Sequence, residues 1–80
     1  MKIQILGTGC PKCKKLAENT AAALQEAGVS AEIEKVSEVA EIAKFKVLFT
    51  PALAIDGEVK VAGKVPDVKK LVEIIKAAAG

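Results

Sequence analysis

Residues 50–63, "TPALAIDGEVKVAG", decide the fold. Ala52 to Ile55 and Glu58 to Val61 are two short apolar or alternating runs joined by Asp56 and Gly57, a dipeptide that accepts the positive φ angles of a two-residue hairpin turn. An antiparallel hairpin is therefore expected late in the chain, and the residues before it must supply its partner strands.

At the N-terminus Met1, Ile3 and Ile5 alternate with Lys2 and Gln4, and Leu6 runs into the breaker Gly7-Thr8-Gly9, the pattern of a short strand ending in a tight loop. From Pro11 the period becomes helical, with Cys13, Leu16, Ala17, Thr20, Leu24 and Ala27 on one stripe and Gly28 as the stop. "VSAEIEKV" (29–36) alternates again, Val29, Ala31 and Ile33 against Glu32 and Glu34, and reads as a charged edge strand. Ser37 is expected to open a short helix with Glu38 and Glu41 in its first turns, Val39, Ile42 and Ala43 as its apolar side and Lys44 near its end. Pro66 and Asp67 start a last helix whose stripe is Val68, Leu71, Val72, Ile75 and Ala79.

The resulting order is β-α-β-α-β-β-α. A β-α-β opening joined to an antiparallel hairpin implies an α/β fold, a four-stranded mixed sheet with three helices placed on its faces by right-handed crossovers. Eighty residues suffice for one domain, expected to span 1–80.

Composition narrows the chemistry. Hydrophobic residues make up 51% and charged residues 28%, enough apolar surface to offset the entropy of ordering. Twelve lysines against ten acids are scattered, and neither tyrosine nor tryptophan is available for base stacking, so nucleic acid is not an expected partner. Arginine and histidine are absent, which removes the bidentate phosphate clamp and the usual general base near neutral pH. No apolar run approaches the roughly 18 residues of a membrane span, and the N-terminus lacks a signal-peptide core. A cytoplasmic protein without membrane partners is expected.

Any chemistry must then be carried by cysteine, lysine or carboxylate, and both cysteines, Cys10 and Cys13, are spaced as "CPKC" (10–13) where the first strand hands over to the first helix. Zinc would need four ligands, and the chain has two cysteines and no histidine. Two thiolates suit Cu(I), but small copper-binding domains end in a strand and usually carry a methionine where this chain has Thr8. Two plain buried cysteines are the bland alternative. Thiol and disulfide exchange uses more of the pattern. Pro11 would start the helix and leave Cys10 at its N-terminal edge, where unpaired amides and the dipole favour a thiolate. Cys10 is thus the expected nucleophile, and Cys13, on the buried stripe, the resolving thiol. Lys12, between them, would add positive charge; Lys14 and Lys15 read as the solvated helix face.

"CPKC" after a strand, "FTPALAIDGEV" (49–59) entering a hairpin and a closing helix together resemble the thioredoxin superfamily, in particular its small, glutaredoxin-sized redox-active disulfide proteins. The resemblance covers almost the whole chain. It implies a thioredoxin-like fold in which Pro51 is a cis-proline beside the cysteine pair and Thr50 offers its backbone to an incoming substrate. A proline at a strand entry also has a purely structural reading. The expected substrate-binding set is Gly9, Pro11, Lys12, Thr50, Pro51 and Gly63. The implied activity is protein-disulfide reduction, with no cofactor in the chain, disulfide-containing proteins as substrates and an external reductant such as a flavin-dependent thioredoxin reductase. Nothing in the sequence requires a dimer, and a monomer is expected.

Two departures stand out. Many thioredoxins have a tryptophan just before the first cysteine and a buried carboxylate six residues before it; here these are Gly9 and Gln4. With no carboxylate at position 4, Cys13 is expected to be activated by water or only weakly. Glutaredoxins pair "CPxC" with "TVP" and a double glycine that holds glutathione, whereas this chain has Thr50-Pro51 directly and Gly63 alone. Glutathione is therefore a weakly supported ligand.

Overall fold

The computed structural model describes residues 1–7, 9, 11–47 and 49–79. Thr8, Cys10, Leu48 and Gly80 lie outside the described residues. The elements are β1 (Lys2–Leu6), α1 (Pro11–Ala27), β2 (Glu32–Val36), α2 (Val39–Lys44), β3 (Ala52–Ile55), β4 (Glu58–Ala62) and α3 (Val68–Ala79). They build a four-stranded sheet in the order β2-β1-β3-β4, with β2 parallel to β1 and β3 antiparallel to both β1 and β4. The α/β architecture and its element order are those expected from the sequence, and the acidic β2 is indeed an edge.

Alternation along β1 sorts the core into two. Ile3 and Ile5 face α1 and α3 and pack with Leu16, Leu24, Leu53, Leu71 and Ile75. Leu6 faces the other way and packs with Val36, Ile42 and Ala52 beneath α2. Successive side chains of a strand point to opposite faces, so Gln4 belongs to the Leu6 face. Its side chain is hydrogen-bonded to Glu34, which stands opposite it in the β1/β2 register.

Local chemistry closes each element. Gly28 takes φ of +69°, and the bonds from its N–H to the Gln25 carbonyl and from the Val29 N–H to the Leu24 carbonyl form a Schellman stop for α1. Asp56 and Gly57 both have positive φ, 50° and 86°, as a type I′ turn requires. Asp56 also exchanges two 2.8 Å bonds with Lys2, its amide donating to the Lys2 carbonyl and its carboxylate accepting from the Lys2 N–H. The hairpin tip is thereby pinned to the start of β1.

Several details depart from the sequence reading. In α2 only Ile42 is buried; Val39 is 72% exposed and Ala43 is also exposed, because a six-residue helix turns a single side chain into Leu6 and Val36. That helix begins at Val39, after an extended Glu38 that makes no side-chain cap, not at Ser37. On α3 Ala79 is exposed, and Pro66 precedes the cap instead of forming the first turn. β2 begins only at Glu32, so Val29 and Ala31 reach the core from the loop before it. β4 continues to Ala62, and a bulge at Lys60 makes Val61 oppose Leu53 while Val59 opposes Ala54. Val59 and Val61 therefore fall on opposite faces. Among the described residues no helix is long and apolar enough to cross a membrane.

The Lys2 ammonium lies 2.8 Å from the Glu34 carboxylate, joining β1 to the edge strand. Its hydrogen bond, more than its charge alone, holds Glu34 below the usual carboxylate range. Because the folded value is the depressed one, the contribution is present above the unfolded carboxylate pKa and is lost as pH falls through the lowered value. Both groups are solvent-exposed, so the effect is small.

The Asp67 carboxylate accepts from the Lys70 N–H at 2.8 Å and caps α3. Asp67→Ala should cost about 1 kcal/mol, read as a lower denaturant midpoint at unchanged slope.

Candidate active site

The β1/β3 register sets the geometry. Leu6 opposes Ala52, so the chain leaving β1 and the chain entering β3 meet at one end of the two inner strands, Gly7 against Pro51. The Gly7 N–H continues the parallel ladder by donating to the Val36 carbonyl at 2.9 Å. Above this junction α1 begins, with Pro11 as its first residue and no acidic side chain in its first turn. Proline suits that position because its missing N–H would have had no helical partner.

Cys13 is the third residue of α1, within its first turn, and is buried, 6% exposed. Its position is fixed by what Gly7 lacks. A Cβ on Gly7 would overlap the Cys13 Sγ, would stand 3.2 Å from the Cys13 Cβ and would come 3.9 Å from the Pro51 Cα. Gly7 is thus the floor on which the thiol rests, with Pro51 alongside. The sequence reading treated Gly7 only as part of a breaker. Its packing role depends on the β1/β3 register, which a local pattern does not specify.

Pro51 is fully buried, and the Thr50–Pro51 peptide bond is cis. The Pro51 carbonyl accepts from the Gly63 N–H at 2.9 Å, tying the entry of β3 to the end of β4. Gly63 has φ of +73°, and a Cβ there would stand 2.8 Å from the Phe49 Cβ. Phe49 therefore sits against Gly63 while remaining 67% exposed, an apolar side chain at the surface next to the exposed Thr50. In the sequence Phe49 figured only as the first residue of "FTPALAIDGEV" (49–59), with no role of its own.

The expected site residues thus fall into two groups. Cys13 and Pro51 meet at Gly7, with Thr50 and Gly63 on the far side of Pro51. Gly9, Pro11 and Lys12 are exposed at the helix entrance. Gly9, at φ of +87°, lines a cleft of about 180 Å³ together with Cys13, Ile5, Gly7, Lys14, Lys35 and Ser37. Lys12 is not part of its wall. Lys14, read as solvated surface, lines this cleft while remaining exposed, and Lys35 joins it from β2. Cys10 lies outside the described residues. Gln4, the position considered for a carboxylate, is on the α2 face of the sheet, opposite to the face that carries Cys13.

Gly7→Ala should force the Cys13 side chain or β1 to shift, at about 1–3 kcal/mol for overpacking a filled site. The checks are a lowered denaturant midpoint and a changed alkylation rate at Cys13. An unaltered midpoint would mean that the thiol does not rest on Gly7.

A family model described as a thioredoxin domain matches residues 1–76. The chain is 45% identical over 75 residues to a protein named thioredoxin from Methanocaldococcus jannaschii, covering 94% of this chain and 86% of that relative. It is 41% identical over 75 residues to a second protein named thioredoxin, from Methanothermobacter thermautotrophicus, covering 94% of this chain and 97% of that one. With the sheet order, the helix seated over Gly7 and the Cys-Pro-Lys-Cys segment at its start, these matches establish that the chain belongs to the thioredoxin superfamily.

Proposed function

We propose that the protein is a cytoplasmic thiol-disulfide oxidoreductase that reduces protein disulfides, with Cys10 as nucleophile and Cys13 as resolving thiol. The observation that carries this reading is the seating of the buried Cys13 against Gly7 and Pro51, in the first turn of a helix that has no acid in that turn. Cys10 immediately precedes that helix in sequence. A thiolate there is favoured by the unpaired amides and the dipole. The two relatives named thioredoxin support the same class of chemistry.

The reaction takes two exchanges. The Cys10 thiolate attacks one sulfur of a substrate disulfide, forming a Cys10–substrate bond and expelling the other substrate sulfur as a thiolate, which takes a proton from water. The Cys13 thiolate then attacks the Cys10 sulfur, forming the Cys10–Cys13 bond and expelling the second substrate thiolate. The substrate has gained two electrons and the protein has lost two. An external dithiol reductant, such as a thioredoxin reductase, must return them, and the chain itself needs no cofactor. The exposed Thr50 backbone and the Phe49 ring beside it would receive an extended substrate segment, with Gly9, Pro11, Lys12, Pro51 and Gly63 around it.

The test is insulin reduction with dithiothreitol as donor. The parent chain should accelerate it, Cys10→Ser should fall to the uncatalysed rate, and Cys13→Ser should accumulate a mixed disulfide visible by mass spectrometry. A Cys10→Ser variant as active as the parent, or an inactive parent that purifies with stoichiometric Cu(I), would overturn the reading.

A further inference from the structure

β4 and α3 leave between them a groove of about 480 Å³ that the exchange reaction does not use. Its apolar wall is Val61, Val65 and Ile74, each half-buried against the core beneath α1 and α3. Lys60, Lys64 and Lys70 stand around it, and among the described residues no carboxylate lines it. The bulge explains how consecutive residues of one strand serve the same wall: the extra residue breaks the alternation of β4, so Lys60 and Val61 both reach the groove. On α3 helical spacing gives the same result, since Lys70 and Ile74 are four apart and share a face.

We propose that this groove receives an acidic segment of the substrate protein, one with an apolar side chain among its carboxylates, and so selects among disulfide substrates. The inference rests on the oxidoreductase reading and deepens it by naming a substrate class. Charge is the first ground for that occupant. Lys64 forms no ion pair among the described residues, while Lys60 and Lys70 meet Glu58 at 3.2 Å and Glu73 at 3.7 Å, exposed carboxylates that a partner's acids can replace at little cost. The Lys60 side chain is only 30% exposed, so its stem is covered while its ammonium reaches the exposed Glu58. Asp67, at the start of α3, is already engaged by the Lys70 N–H at 2.8 Å. The other flank has the opposite character: Glu34, Glu38 and Glu41 line the hollow between β2 and α2, where Lys35 is the single lysine among the lining residues. An acidic segment is therefore drawn to one side of the sheet and turned away from the other.

Continuity with the exchange site is the second ground. Gly63 lies between Ala62 and Lys64, both of which line the groove, and it is also the residue against which Phe49 packs and whose N–H holds the Pro51 carbonyl. A segment that leaves the disulfide past Thr50 and Phe49 thus comes directly to the groove. Its side chains, not its backbone, are what the groove can hold, because the bulge denies β4 a regular ladder. An aliphatic side chain laid on Val61 and Ile74 removes apolar surface from water. The carboxylates beside it meet the ammonium groups at the rim, where such pairing steers encounter and orientation. No bond is made or broken in the groove, and the chemistry stays at the cysteine pair.

The experiment compares peptides closed by the same internal disulfide and extended by a tail of leucine set among glutamates, glutamines or lysines, with the tail tried at either end. The full chain reduces them with dithiothreitol as donor, and kcat/KM is read above the uncatalysed rate. The glutamate tail should raise kcat/KM about tenfold over the glutamine tail at about 0.02 M salt, the lysine tail should lower it, and about 0.5 M salt should bring all of them together. Lys64→Gln should weaken the preference and Lys64→Glu should turn it towards the lysine tail. Lys69→Gln, on α3 but outside the groove, should keep the parental order. A cysteine-free peptide with the glutamate tail should shift the methyl resonances of Val61, Val65 and Ile74 and leave those of Val39 in place. Equal kcat/KM for all the tails, a preference unchanged in Lys64→Glu, or unmoved methyl resonances overturns the role of the groove and leaves the oxidoreductase reading intact. Failure to reduce any of the peptides or insulin, with the methyl shifts present, overturns that reading while the groove stands as a site for acidic segments.

Discussion

The pairing of β1 with β3 is the constraint on which the rest of the site depends. It sets Leu6 against Ala52, which brings Gly7 beside Pro51 across more than half the chain. Hydrogen bonds from both sides hold that junction, Gly7 to Val36 and Gly63 to Pro51. Only a residue without a Cβ can then lie under α1 and leave room for a sulfur atom. The helix start, the buried thiol and the β3 entry are consequently a single packing unit, not three features that happen to be neighbours.

That unit explains the burial of Cys13 in physical terms. The helix stripe Cys13, Leu16, Ala17, Thr20 and Leu24 is buried, and Thr20 returns its hydroxyl to the Leu16 carbonyl at 2.7 Å, so the stripe carries no unsatisfied polar group. α1 is fixed further by Asn19, whose side chain donates to the Pro66 carbonyl at 3.0 Å and couples the helix to the entry of α3. Cys13 is therefore held as firmly as a core residue while lining a cleft to the outside.

How much of this was legible in the sequence follows from the range of each interaction. Strand alternation, the helical stripe from Cys13 to Ala27, the Asp56-Gly57 turn and the Gly28 stop are local, and the elements they specify are those of the structure. The resemblance carried by "CPKC" and "FTPALAIDGEV" brought Pro51 and Cys13 into one site before any register was known. The contribution of Gly7 could not be read in this way, since a glycine after a strand has the same local signature whether it turns the chain or makes room for a neighbour. Lys35 was likewise invisible: in "AEIEKV" (31–36) its charge marks surface, and only its position opposite Ile5 turns it toward α1. Position 4 was weighed as a possible carboxylate site by its distance in sequence from Cys10, and strand alternation carries it to the other face. Ala23 on α1 is buried although it lies between the stripe positions noted, because α3 widens the covered face.

The bulge at Lys60 has a consequence beyond the placement of two valines. β4 is an outer strand, and its free backbone amides and carbonyls could extend the sheet into another polypeptide. An extra residue in its middle breaks the spacing of those groups and turns the strand's twist, so a straight incoming segment finds them out of step. On the opposite outer strand the alternation of Glu32 and Glu34 with Lys35 serves the same end through charge. Both flanks of the sheet are thus guarded against pairing with extended segments of other chains, one by an irregular backbone and the other by charge.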